Sequence, residues 1–202
     1  MTTLHPEGRK ILLLGDSIMY GAKGIHGYGY YVQQNLLGKA ATILPNDNCM
    51  DIRFLLSCAD DLIPGSEDGY DLIHWNNGLW DVLHFAGNQQ PHTDIDLYAK
   101  TLCKFYSYLK TRYPGARIFF ATTTPVPEHL NKISSYRRNT EICAYNEAAR
   151  HVLDGKVDAF DDLYSAALPL GDEYRAKDGL HYTEDGSCFL GQKVTAFLSN
   201  YL

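Results

Sequence analysis

The 202-residue chain has no apolar run long enough to cross a membrane. Its first apolar run, Ile11 to Leu14, is four residues long and stops at Gly15, too short for the hydrophobic segment of a secretion signal. The chain is therefore expected to stay in the cytoplasm, with no membrane insertion. It has no CxxC pair. Its five cysteines (Cys49, Cys58, Cys103, Cys143, Cys188) are odd in number and widely spaced, which fits reduced thiols and argues against a disulfide framework or structural zinc site. It has no excess of basic charge. Lys plus Arg is 18 against 24 for Asp plus Glu, a net charge of −6, which argues against nucleic acid as the main partner. It has no internal repeat, low-complexity tract or linker. With 45% apolar and 21% charged residues the composition is that of a folded globular chain, and one domain spanning 1–202 is expected.

What is present is an alternation of short apolar runs and amphipathic stretches. Residues 11–14, 40–44, 71–75, 116–122 and 157–160 read as strands. Residues 30–37, 51–63, 94–113, 139–153 and 183–198 read as helices. The clearest is 94–113, where Leu97, Tyr98, Leu102, Phe105, Tyr106 and Leu109 recur at helical spacing and Pro114-Gly115 ends the run. Thr183 is placed as the N-cap of the last helix, with Glu184 and Asp185 in its first turn. Strands alternating with helices predict an α/β fold, a three-layer α/β/α sandwich with a flavodoxin-like five-stranded parallel sheet. In such sheets ligands bind beyond the carboxyl ends of the strands, so the residues after each strand matter most.

Three segments qualify. Gly15-Asp16-Ser17 follows the first strand, with Ser17 exposed near backbone N–H groups; alone, it is equally a plain turn with Ser17 as a cap. His74-Trp75-Asn76-Asn77-Gly78-Leu79-Trp80-Asp81 follows the third. An asparagine amide can donate to a developing oxyanion, although Asn-Asn-Gly by itself is an ordinary turn. Asp178-Gly179-Leu180-His181 precedes the last helix. Histidine can take a serine proton at neutral pH, and a carboxylate three residues away can fix its tautomer. A GxSxG elbow is missing because Met19 holds its last position, and no glycine-rich phosphate loop supports a nucleotide binder. His74, Asp81 and His84 match no metal-ligand spacing, so no metal and no cofactor are expected.

Taken together and in this order, the segments resemble the SGNH hydrolases, also called GDSL-type esterases or lipases, from Ile11 to the final helix. The resemblance implies the SGNH hydrolase fold, Ser17 as nucleophile, His181 as general base and then acid, and Asp178 as its orienting partner. It also implies an oxyanion hole made by the Ser17 N–H, a second backbone N–H and an asparagine amide. The usual third block, Gly-x-Asn-Asp, aligns with His74-Trp75-Asn76-Asn77, which favours Asn76 with Asn77 as the alternative. The stretch HWNNGLWD resembles a bacterial subgroup. The second block normally offers a glycine; here Met50 falls nearest by register, and a non-glycine donor suffices unless φ is positive.

The remaining features carry no assigned chemistry. Asp16 is expected to brace the serine loop, and Thr122 to Pro125 to shape a wall of the site. Cys58 and Cys143 are expected in the core, and 132–138 as a solvated, mildly basic approach to a helix. Tyr20, Tyr28, Tyr30 and Tyr31 follow the serine and could stack on sugar rings or pack a helix. The expected function is a serine esterase acting through an acyl-enzyme on a small-molecule or carbohydrate ester, with acetyl as the acyl group. A lysophospholipase or thioesterase acting on longer chains is the nearest rival, and a non-catalytic carbohydrate-binding module follows.

Overall fold

The computed structural model describes residues 8–202. Strand β1 (Arg9–Leu14) reads RKILLL, and its last four side chains are fully buried, as befits a strand covered on both faces. Helix α1 (Ser17–Tyr20) and the two-residue strands β2 (Gly21–Ala22) and β3 (Ile25–His26) lead to α2 (Tyr28–Asn35). Then come β4 (Ala40–Ile43), α3 (Ile52–Ser57), α4 (Ala59–Leu62), β5 (Leu72–Asn76) and β6 (His84–Phe85). The chain continues through α5 (Ile95–Arg112), β7 (Arg117–Ala121), β8 (Ser135–Tyr136) and α6 (Asn139–Leu153). It ends with β9 (Ala159–Asp161), α7 (Leu163–Ala167) and α8 (Glu184–Ser199).

The main sheet has the order β4-β1-β5-β7-β9 with every pair parallel, the flavodoxin-like arrangement expected from the sequence. Helices α1, α2, α7 and α8 pack together on one face, and α3, α5 and α6 on the other. β5 is buried at all five positions. Its alternation sends His74 towards Tyr28 of α2 and Phe197 of α8, and Trp75 towards Phe105 of α5. The sheet order reverses between β1 and β5, and their parallel register pairs Leu14 with Trp75. The chain after Leu14 and the chain after Trp75 thus leave the sheet side by side.

Several boundaries and burials differ from expectation. The stretch 51–63 is two helices, since Cys58 leaves helical geometry at φ −112° and ψ 17°; Asp51 caps the first through the N–H groups of Arg53 and Phe54. The last strand begins at Ala159 because Asp158 spends its carboxylate on the N–H of Ile118. Cys143 is exposed and Cys58 only half-buried. The core face of α6 is Ile142, Tyr145, Asn146, Ala149 and Leu153, and position 143 lies off that stripe. Thr183 does cap α8, accepting from the N–H of Gly186.

One polar link crosses the buried sheet. His74, fully buried, lies 2.9 Å through Nε2 from Asp161 Oδ2, joining β5 to β9 across β7. Removing one partner leaves the other without its buried counterpart. His74→Ala is expected to cost about 3 kcal/mol of stability. Urea unfolding should show a lower midpoint with an unchanged slope.

Candidate active site

Gly15 and Asp16 make the turn out of β1. A side chain at Gly15 would bring its Cβ to 2.7 Å from Met19 Cβ, so only glycine lets the turn close this tightly. Asp16 is fully buried and caps α1, its Oδ1 accepting from the N–H of Ile18 at 2.9 Å. The Asp16 carbonyl takes the N–H groups of Met19 and Tyr20. Ser17 opens α1, and its N–H is the remaining donor of the first turn. Burial pushes the Asp16 carboxyl above its ordinary range, opposed by the Ile18 N–H and by the charge of Arg137.

The loop before α8 brings the other two groups. His181 Nε2 lies 2.7 Å from Ser17 Oγ, and His181 Nδ1 lies 2.7 Å from Asp178 Oδ2. Asp178 Oδ1 also accepts from the N–H groups of Leu180 and His181, both at 3.0 Å, and Lys23 Nζ reaches Oδ2 at 3.1 Å. Partial burial works against ionisation of Asp178. The His181 ring, these two N–H groups and Lys23 outweigh it and hold the carboxyl well below the usual range. With Asp178 ionised, Nδ1 carries the proton and Nε2 is free to accept from Ser17. The arrangement is a proton relay ending on a serine hydroxyl. Ser17 is only 7% exposed, rather than open as expected from the sequence, because the His181 ring lies against it.

The oxyanion candidates are placed differently. The Met50 N–H donates to Asn48 Oδ1 at 2.9 Å and so is held within its own loop, not offered to the site. Met50 has φ 49°, the left-handed region that favours glycine, so the loop keeps a glycine-like backbone under a methionine side chain. Asn76 Nδ2 donates to the carbonyls of Ala121 and Thr122 at 2.9 and 3.3 Å. Asn77 is fully buried and braces the loops: Nδ2 donates to the Met50 carbonyl, and Oδ1 accepts from Trp75 Nε1. Thr122 to Thr124 are buried. Thr123 Oγ1 donates to the Asn77 carbonyl, which ties this wall to the third loop.

His84 and Asp81 do not join His74. Nε2 of His84 lies 2.8 Å from Glu141 Oε2, and Asp81 accepts from the N–H of Ile52 at 3.4 Å. Of the four tyrosines after Ser17, Tyr28 is fully buried, Tyr31 bonds Glu184, and Tyr30 stacks on His26 at 4.0 Å between ring centroids. The sequence reading missed Arg137, which is buried rather than solvated. The pairing of β6 with β8 folds this segment inward, and its Nε donates to the Leu79 carbonyl at 2.6 Å.

Space is unevenly divided around the relay. The cavity touching Ser17 is about 10 Å³, enough for one water-sized group. Beside His181 and Asp178 lie clefts of about 170 and 540 Å³.

A model of the GDSL-like lipase/acylhydrolase family matches residues 13–187. Among solved structures the chain resembles a lipase/acylhydrolase from Enterococcus faecalis, at 19% identity and TM-score 0.73, over 96% of this chain and 97% of that one. It resembles an acetyl xylan esterase at 21% identity and TM-score 0.71, over 94% and 99%. It also resembles an acetylxylan esterase from Geobacillus stearothermophilus at 18% identity and TM-score 0.68, over 96% and 94%. No curated protein sequence matches the chain.

Asp81 gives this region a pH response. Burial pushes its carboxyl up to about 7, with the charge of Asp51 adding to the rise against the hydrogen bond from Ile52. The folded pKa lies above the ordinary 3.8, so the folded state holds a proton that the unfolded chain releases. Stability from this group is full below about pH 4 and is lost as pH rises through about 7. Asp81→Asn, which still accepts from Ile52, is expected to gain on the wild type as pH rises. Thermal unfolding at acid and at alkaline pH reads the difference, and equal gains at both would contradict it.

Proposed function

Because the chain belongs to the GDSL-like lipase/acylhydrolase family and is thereby an ester-hydrolysing enzyme, we propose that Ser17 is its nucleophile, His181 its general base and acid, and Asp178 the group that orients His181. The carrying observation is the unbroken relay from Asp178 through His181 to Ser17 Oγ, both contacts at 2.7 Å. Ser17 Oγ attacks the ester carbonyl as Nε2 takes its proton. The tetrahedral intermediate collapses as the imidazolium protonates the leaving alcohol. Water activated by the same nitrogen then releases the acid. The negative oxygen of each intermediate is stabilised by the Ser17 N–H and by the Asn76 amide, which exchanges a resting carbonyl partner for the oxyanion. The Met50 N–H contributes only if it leaves Asn48.

The acyl group is small, in our reading acetyl, and the alcohol is a carbohydrate. The tight space at Ser17 supports the first part. The wide clefts at His181 support the second, since the leaving oxygen must stand close to Nε2. The resemblance to acetyl xylan esterases points the same way. The HWNNGLWD stretch is in our reading the mark of a bacterial subgroup.

Hydrolysis of 4-nitrophenyl acetate by Ser17→Ala is expected to fall at least about 10³-fold, with loss of fluorophosphonate labelling. Equal rates in the two proteins would remove Ser17 as nucleophile. A series from acetyl to octanoyl esters should favour acetyl; an octanoyl optimum would support the long-chain reading instead.

The two asparagines should separate by readout. Asn76→Ala is expected to lower kcat by about 10²- to 10³-fold with a folded protein. Asn77→Ala should act mainly on stability, by about 2 kcal/mol, because it leaves the buried Trp75 N–H without its acceptor. The reverse pattern would exchange their roles.

A further inference from the structure

Arg137 is 6% exposed and lines the cleft of about 170 Å³ that His181 and Asp178 also line. Of its five N–H donors, Nε is spent on the Leu79 carbonyl. Among the described residues that is the side chain's one hydrogen bond, and no carboxylate forms an ion pair with it. Arg137 and the buried Asp16 feel one another's charge without touching. The backbone of Arg137 is held from both sides by one amide: Asn131 Nδ2 donates to its carbonyl, and its N–H donates to Asn131 Oδ1. A fixed, buried guanidinium with four open donors beside a reactive centre is costly unless something completes it. Lys23 and Lys132 stand on the same cleft and make it positive in a chain of net charge −6.

We propose that Arg137 is a specificity-determining residue that binds a carboxylate on the alcohol portion of the ester. The substrate class is then an acylated hydroxy acid or acidic sugar. The placement on the alcohol side rests on the reading of His181 as the acid that protonates the leaving oxygen. The planar fork of a guanidinium matches the two oxygens of a carboxylate. Arg137 holds the acid group in the cleft while the acyl group sits at Ser17. Burial lowers the Arg137 pKa to about 10, still charged at neutral pH.

The test compares acetylated glucuronic acid with acetylated glucuronamide, which share their shape but differ in charge and in one oxygen replaced by an NH2 donor, by acetate release. The wild type is expected to cleave the acid with a kcat/KM about tenfold above the amide. Arg137→Gln should bring that ratio close to one. Arg137→Lys should keep part of it, and Lys132→Ala most of it. Equal kcat/KM for acid and amide in the wild type overturns the proposal even if no Arg137 variant folds, as does an unchanged ratio in Arg137→Gln. Turnover is not needed for the second arm. Calorimetric titration of the wild type with glucuronate and with glucuronamide should show about tenfold tighter binding of the acid. Equal binding, or binding of neither, overturns the subsite. Full ester hydrolysis by Ser17→Ala would instead defeat the esterase mechanism, while the calorimetric preference would still report on Arg137.

Discussion

The parallel pairing of β1 with β5 is the contact on which the site depends. Its register sets Leu14 against Trp75, so the serine turn and the asparagine loop emerge together where the strand order reverses. The pairing is held by burial. Ile11 to Leu14 and every residue of β5 are covered by helices on both faces, and a slip of one residue would send Trp75 and His74 to the wrong sides. Nothing local to Ser17 or Asn76 would bring them together. The third component, His181, arrives by the chain's last crossover, with α8 packed on α2.

Around that junction the backbone makes one close approach at a glycine and takes left-handed geometry at two other residues. Gly15 turns against Met19, and Met50 occupies left-handed space at φ 49°. Lys23, at φ 55°, turns the β2–β3 hairpin and from there reaches Asp178. Strain of about 1–3 kcal/mol at left-handed non-glycine positions such as Lys23 and Met50 persists only where surrounding contacts over-determine it. At Met50 those contacts are visible: its N–H is held by Asn48 and its carbonyl by Asn77. The loop that the family builds with glycine is here kept in the same backbone region by hydrogen bonds at both ends.

Much of this was legible from residue order. The strands and long helices follow from apolar runs ended by Gly or Pro, and the Asp178–His181 spacing from the need for a carboxylate beside an imidazole. What was not legible depends on partners far along the chain. Cys143 looked apolar in its local pattern, but the stripe that packs on the sheet passes through 142, 145 and 149. Ser17 looked exposed until a ring 164 residues away closed over it. Met50, at φ 49°, is held through its carbonyl by Asn77, 27 residues on. Arg137 read as one charge in a polar, mildly basic run. Its burial comes from the two-residue pairing of His84 and Phe85 with Tyr136 and Ser135, too short to leave a periodic signal.

Charge illustrates the same limit. The net balance of −6 speaks to the whole surface and to partners such as nucleic acid, and carries no information about a cleft. Beside His181 the local balance is reversed. Asp178 is occupied by His181 and Lys23, Asp16 is buried behind the serine, and the guanidinium of Arg137 faces no paired carboxylate among the described residues. Low-dielectric walls strengthen that local field relative to the screened charges of the surface. An incoming anion would therefore be drawn to the side of His181 and kept away from the confined space at Ser17. In the proposed reaction the confined space at Ser17 would take the acyl group and the wider, positive cleft the alcohol, with the His181 ring lining both.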